Sequence, residues 1–104
     1  MYAKAEEAYK KSMEVKPDDA AAYVGLAGIL FNTGKSADAK PLVEKAVSID
    51  PNNADAHYIY GMTLVATEAA KAKAEFEAYV RLAPNAPNAA IAKSLITELE
   101  KQVK

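Results

Sequence analysis

Apolar residues recur along most of the chain at the three- and four-residue spacing of amphipathic helices. In residues 20–32 the apolar stripe consists of Tyr23, Leu26, Ala27 and Leu30. A second stripe predicts a helix over residues 36–49, and Asp50-Pro51 ends it because the residue before a proline avoids the helical region. Between the two helices, Gly34 can adopt the left-handed conformation that closes a helix. The pattern therefore predicts a helix–turn–helix unit.

The helix–turn–helix unit is one of a series of repeats. Pro17, Pro51 and Pro84 are 34 and 33 residues apart, and each follows small and bulky residues at matching distances. The matching positions are Ala5, Tyr9, Ser12 and Val15 before the first proline, Ala39, Val43, Ala46 and Ile49 before the second, and Ala72, Phe76, Tyr79 and Leu82 before the third. Since a period of roughly 20 to 50 residues is typical of repeat proteins, we expect stacked helix pairs.

The spacing resembles the tetratricopeptide repeat, a helix–turn–helix unit of about 34 residues. Residues 20–53 match its pattern at Tyr23, Leu26, Ala27, Leu30, Gly34, Ala39, Val43, Ala46 and Pro51. Residues 54–86 match it at His57, Gly61, Leu64, Ala72, Phe76 and Pro84. The resemblance implies an all-α fold, a right-handed α-solenoid of six helices in antiparallel pairs.

The resemblance also implies the organisation of residues 1–104 as a single tetratricopeptide repeat domain. Its parts are a half repeat at 2–16, full repeats at 20–53 and 54–86, and a capping helix at 88–103. The half repeat matches only the second helix of a unit. The capping helix has the polar outer face that a solenoid needs at its terminus. We therefore predict a capped C-terminal end and an open N-terminal end.

Two departures from the repeat pattern predict local differences. The second repeat is one residue short and has no glycine at the place of Gly34. Its turn should therefore be tighter, or its first helix should end one residue early. Pro41 falls inside the second helix of the first repeat, where it removes a backbone donor. Because it lies just past the first turn, we expect a local bend rather than a break.

Composition and charge narrow the classes of partner. Alanine supplies 23 of the 104 residues, and such small side chains let helix axes approach. The 13 basic and 14 acidic residues give a net charge of −1, and Arg81 is the only arginine, whereas nucleic-acid binders normally carry a basic surplus. No apolar run approaches the ~18 residues of a membrane span. We expect a protein or peptide partner, no nucleic acid, no membrane and, unless the chain is part of a larger protein, a cytoplasmic location.

Residues suited to catalysis or metal binding are scarce. The chain has no cysteine, which excludes disulfides, thiolate zinc sites and cysteine nucleophiles. Its single histidine, His57, matches Tyr23 at the place of a bulky aromatic residue, so we predict that it packs in the core. A general base would also need an orienting carboxylate and a nucleophile, and Asp55 points away because residues two apart do not share a helix face. We predict no enzyme activity, no cofactor and no metal site.

In the tetratricopeptide family, ligands lie in a concave groove lined by the first helix of each repeat. Carried over to this sequence, the lining residues are Ala21, Val24, Gly28, Phe31 and Asn32 from the first repeat and Asp55, Tyr58, Met62, Val65 and Ala66 from the second. The carboxylate clamp of the family needs lysine and asparagine at several of these places, and only Asn32 is present. The resemblance therefore implies a non-catalytic protein–protein interaction module that binds a peptide or helix in an apolar groove.

The open N-terminal helix supports an alternative function. An uncovered apolar face on this helix would be unusual for a soluble monomer. The residues concerned are Tyr2, Ala5, Tyr9 and Met13. Either the chain is a fragment of a longer array or this face pairs with another copy. The alternative is therefore a self-associating structural element, a homodimer through the N-terminal helix or the groove.

Overall fold

Six α-helices account for most of the residues that the structure describes. The computed structural model of the chain describes residues 2–102 and, for Tyr2, the backbone only. The helices are α1 (Tyr2–Val15), α2 (Ala20–Asn32), α3 (Ser36–Ile49), α4 (Ala54–Leu64), α5 (Ala69–Leu82) and α6 (Ala89–Gln102). No strand occurs within residues 2–102. The predicted all-α class with six helices is confirmed. Val103, the last residue of the predicted capping helix, lies outside the described residues.

The chain divides into two compact units, Met1–Asn53 and Ala54–Lys104. In the first unit, α2 packs against both α1 and α3. In the second unit, α5 packs against both α4 and α6. The division falls between the two predicted repeats, so each unit contains one full repeat and one terminal helix. The single-domain organisation stays a prediction.

The core of the first unit lies between α2 and α3 and is built largely of alanine. Leu26 and Ala27 of α2 are buried, and Tyr23 and Leu30 beside them are half-buried. The buried residues of α3 occupy the repeat positions Ala39, Val43 and Ala46. Because methyl side chains occupy little space between two helices, the axes of α2 and α3 can approach closely.

The turn between α2 and α3 has the glycine-dependent geometry that the sequence predicts. Gly34 has a φ of 82°, in the left-handed region that a Cβ disfavours. The N–H of Lys35 donates to the carbonyl of Leu30 at 2.7 Å, and the N–H of Gly34 donates to the carbonyl of Phe31 at 3.2 Å. These two bonds form a Schellman motif, which satisfies carbonyl groups at the end of α2.

The second repeat connects its helices differently, since it has no glycine at this place. Both α2 and α4 begin at the first residue of a repeat, but α4 has 11 residues and α2 has 13. The N–H groups of Thr67 and Glu68 then bond to the carbonyl of Leu64 at 3.1 and 2.8 Å. The first helix of this repeat therefore ends early, by two residues rather than the one expected. Residues 65–68 supply the connection, which is one residue longer than residues 33–35 of the first repeat, so the alternative of a tighter turn is wrong.

Helix α3 continues without interruption through Pro41. A proline inside a helix leaves the carbonyl four residues earlier without its usual donor. Both Pro41 and Ala37, which carries that carbonyl, are exposed, so water can satisfy the free acceptor. The expectation that Pro41 does not break the helix is confirmed.

In the core of the second unit, an aromatic ring packs directly on the backbone of a glycine. Phe76 of α5 and Gly61 of α4 are both buried, and a Cβ on Gly61 would lie 2.8 Å from the Phe76 ring. Glycine therefore lets the ring approach the α4 backbone. Leu64 and Ala72 are completely buried in the same unit.

The terminal helix α6 has one buried and one polar face. Ala89, Ala92 and Leu99 are buried, and α6 packs against α5. Lys93 and Thr97 are exposed. This division agrees with the polar outer face predicted for a capping helix.

Candidate functional site

The residues predicted to line a groove divide between the two units, and all of them keep some accessible surface. On α2, the exposed residues are Ala21 and Asn32, and the half-buried ones are Val24, Gly28 and Phe31. On α4 and in the turn after it, the exposed residues are Asp55 and Ala66, and the half-buried ones are Tyr58, Met62 and Val65. Each helix therefore presents a set of mainly apolar residues outside the buried core.

Tyr58 is held in place by two other aromatic rings. Its ring centroid lies 5.8 Å from that of Phe76, edge to face, and 4.9 Å from that of Tyr79, tilted. Aromatic pairs at such separations attract each other beyond the effect of burial. Because Phe76 and Tyr79 are buried residues of α5, they fix the ring of Tyr58 on α4. A ligand that reaches Tyr58 would meet a preorganised side chain.

The two tyrosine hydroxyls of this aromatic cluster hold their protons more strongly than a free tyrosine does. Burial raises the pKa of Tyr58 above its ordinary value of 10.0, because it disfavours the phenolate. Burial also raises the pKa of Tyr79, with further contributions from Asp55 and Tyr58, while a hydrogen bond with the Asn88 backbone opposes the rise. At neutral pH the cluster is therefore uncharged and suited to apolar contacts.

The predicted self-association residues of α1 are partly covered by α2. Ala5, Tyr9 and Met13 are half-buried. The Tyr9 ring lies against the backbone of Gly25, at a place where a Cβ would overlap the ring. The side chain of Tyr2 lies outside the described residues. Contact with α2 therefore uses part of the surface that we predicted for self-association, and the self-association itself stays a prediction.

Sequence reasoning missed a large apolar side chain on α1 that is strongly exposed. This residue is Val15, which is 83 % exposed. The repeat pattern contains the signal, because Val15 is equivalent to Ile49 and Leu82. Those two residues are half-buried in their own units. The equivalent position is therefore partly covered in α3 and in α5.

His57 has a carboxylate partner that sequence reasoning did not predict. Its Nδ1 lies 2.7 Å from Oε1 of Glu75, and the two side chains are only 10 % and 17 % exposed. The pair joins α4 to α5, so the predicted position of His57 in the core is confirmed and its polar partner is new. Relative to the first repeat, His57 replaces Tyr23 and Glu75 replaces Leu42. Two polar replacements in one repeat were the available signal.

Residues 2–102 lack two further features. No helix in this part of the chain combines the length and hydrophobicity that crossing a membrane requires. Among the same residues, no three histidine, aspartate or glutamate side chains are grouped as ligands for a metal ion.

The helix pairs and their spacing are those of the tetratricopeptide repeat. The sequence model of the family described as tetratricopeptide repeat matches residues 1–60, more than half of the chain. The chain therefore belongs to the tetratricopeptide repeat family. No curated protein sequence shows significant similarity to it.

Several solved structures with this fold contain a bound peptide. The first TPR of Spaghetti (RPAP3), bound to the HSP90 peptide SRMEEVD, has a TM-score of 0.86 and 22 % identity over 98 % of this chain and 79 % of that chain. The TPR2B domain of yeast Sti1, in a pHsp70 complex, has a TM-score of 0.80 and 24 % identity over 93 % and 81 %. The Yersinia enterocolitica type III secretion chaperone SycD, in complex with a peptide of the translocator YopD, has a TM-score of 0.84 and 15 % identity over 99 % and 82 %. At these identities the likeness shows the fold.

Proposed function

We propose that this chain is a non-catalytic protein–protein interaction module that binds a peptide or helix in an apolar concave groove. The proposed lining residues are Val24, Gly28, Phe31 and Asn32 of the first repeat and Asp55, Tyr58, Met62 and Val65 of the second. The observation that carries the proposal is that domains of this fold are found with bound peptides. The accessible, mainly apolar surfaces of α2 and α4 support it.

The lining favours a ligand with apolar side chains. Aromatic residues and methionine are enriched at protein interfaces, and the lining supplies Phe31, Tyr58 and Met62. The ten predicted positions contain neither lysine nor arginine, so a terminal carboxylate would meet no cation there. Asp55 would repel such a carboxylate. The ligand is therefore an internal segment or an amphipathic helix rather than a free C-terminus.

Alanine substitutions at Phe31 and Met62 test the groove. The probes are peptides selected against the wild-type chain from a displayed random library, with affinity then measured by calorimetry. Because truncating an interface anchor typically removes more than 1 kcal/mol, each variant should raise Kd at least about fivefold. Ile91→Ala on α6 is the control and should leave Kd unchanged. Amidating the peptide C-terminus should also have no effect.

If both Phe31→Ala and Met62→Ala leave the Kd unchanged, the peptide binds elsewhere and the proposed groove is wrong.

Light scattering over a wide concentration range tests the alternative function, a homodimer through the N-terminal helix or the groove. The proposal expects the molar mass of the single chain, 11.1 kDa. A concentration-independent mass of about twice this value would favour the self-associating element.

A further inference from the structure

One charged side chain lies at the N-terminal end of an apolar row on α4. Asp55, Tyr58 and Met62 follow at three- and four-residue intervals, so they share one face of the helix. Tyr58 and Met62 are half-buried, whereas Asp55, in the first turn, is exposed. Asp55 is also the only aspartate, glutamate, lysine or arginine on α4. A ligand that covers Tyr58 and Met62 would therefore meet a carboxylate at one end of the row.

The carboxylate of Asp55 has aromatic neighbours but no cation beside it. Within residues 2–102 it forms neither an ion pair nor a side-chain hydrogen bond. Burial raises the pKa of Tyr79, and the charge of Asp55 raises this pKa further, so the carboxylate lies close enough to the aromatic cluster to act on it. Since Tyr58 and Tyr79 are uncharged at neutral pH, this end of α4 carries a single negative charge next to tyrosine rings.

A cation complements this combination better than an apolar or anionic group does. A carboxylate covered by an apolar ligand loses its hydration without compensation, whereas an ammonium or guanidinium group forms a charge-assisted hydrogen bond with it. A tyrosine ring also attracts a cation to its face. Contacts with Phe76 and Tyr79, at centroid distances of 5.8 and 4.9 Å, hold the Tyr58 ring in place before a ligand binds. The geometry therefore favours a basic side chain.

We propose that Asp55 and Tyr58 bind a lysine or arginine side chain of the groove ligand, while Met62 contacts an apolar residue of the same segment. This inference rests on the proposed groove function and specifies the chemistry of its ligand. Asp55 and Met62 are seven residues apart, which is about 10 Å along the axis of α4. An extended peptide spans this distance in about three residues, and a helical one in about seven.

Peptides selected against the wild-type chain from a displayed random library are the probes. They should carry a lysine or arginine at one of these two spacings from an apolar residue. In such a peptide, lysine is replaced by norleucine, which keeps the methylene chain and removes the ammonium group, and arginine by uncharged citrulline. Calorimetry should show a Kd at least about fivefold higher after this neutralisation. In Asp55→Asn the same neutralisation should change Kd less than about twofold, because the carboxylate is absent.

Asp38→Asn is the matched control. Asp38 is also exposed and also lies in the first turn of a helix, α3, but outside the predicted lining. In this variant, neutralising the peptide should raise Kd as much as it does in wild type. A charge that served only to stabilise the start of its helix would give the same result in Asp55→Asn and in Asp38→Asn.

The proposal is overturned if the selected peptides carry no basic residue at either spacing. It is also overturned if neutralising the peptide has the same effect on Kd in wild type and in Asp55→Asn. In both cases, a Kd that still rises in Met62→Ala leaves the groove intact, so only the cation site is wrong. A Kd that changes in neither Met62→Ala nor Phe31→Ala contradicts the groove, and the cation site with it.

Discussion

His57 and Glu75 form a polar contact inside an alanine-rich helix interface. Burying a polar group is unfavourable unless it forms a hydrogen bond, and a charged partner makes that bond stronger. The 2.7 Å separation between Nδ1 of His57 and Oε1 of Glu75 satisfies both groups. The contact therefore stabilises the pairing of α4 with α5, and a change to one partner should affect the stability of the second unit.

Glu75→Ala should lower the free energy of unfolding by about 1–3 kcal/mol, because it leaves Nδ1 of His57 without its carboxylate partner. Glu77→Ala is the matched control on the same helix. Glu77 pairs with Lys73 at 3.6 Å, but its side chain is 51 % exposed, so its loss should cost less than about 1 kcal/mol. Urea unfolding measures both. Equal effects would show that the buried pair has no special part in stability.

Stability should decrease as the pH rises through 10. The pKa values of Tyr58 and Tyr79 are raised in the folded chain, so the folded state keeps these protons where the unfolded state loses them. The stabilisation is complete below the unfolded pKa and is lost as the pH rises toward the folded values. Urea unfolding at about pH 8 and about pH 11 measures how much free energy of unfolding is lost between these pH values. The loss should be smaller in Tyr79→Phe than in wild type.

Among the helices, the pairing of α4 with α5 depends on the close approach of Phe76 to Gly61. Gly61→Ala would bring a methyl group to 2.8–3.0 Å from ring carbons of Phe76, which is completely buried. The resulting overpacking costs roughly 1–3 kcal/mol, against a gain of at most about 1 kcal/mol in helix propensity. Thermal unfolding should therefore show lower stability. Adding Phe76→Leu removes the clash, so the double variant should lose less than the sum of the single losses.

The connection of α2 to α3 depends on a glycine with a left-handed backbone. Gly34→Ala should destabilise the first unit by about 1 kcal/mol, because alanine disfavours a positive φ. No heavy atom lies within 4 Å of a Cβ at this position, so the loss would report backbone conformation rather than a clash. Gly34→Asn should lose less stability, since asparagine tolerates this conformation. Equal losses in the two variants, measured by urea unfolding, would contradict this account.

For the whole molecule, the repeat period connects the sequence to the proposed function. The period identifies two sets of mainly apolar residues, one on α2 and one on α4 and in the turn after it, and all of them stay outside the buried core. The same period accounts for the open face of α1, whose equivalents in α3 and α5 are covered by a preceding helix.

The sequence by itself determined the number of helices and the left-handed conformation of Gly34. These features depend on apolar periodicity and on backbone preferences that act over a few residues. Local rules also explain why α4 is shorter than α2, since the second repeat has no glycine to close a longer helix.

Only the tertiary structure decided which residues meet across helices and how completely each apolar residue is covered. The contact of His57 with Glu75 joins residues 18 apart in the chain, and the Tyr9 ring meets Gly25 across two helices. The tertiary structure also leaves Val15 exposed, although the equivalent residues of α3 and α5 are half-buried. A helical periodicity shows which residues share a face, but coverage of that face depends on which other helices pack against it.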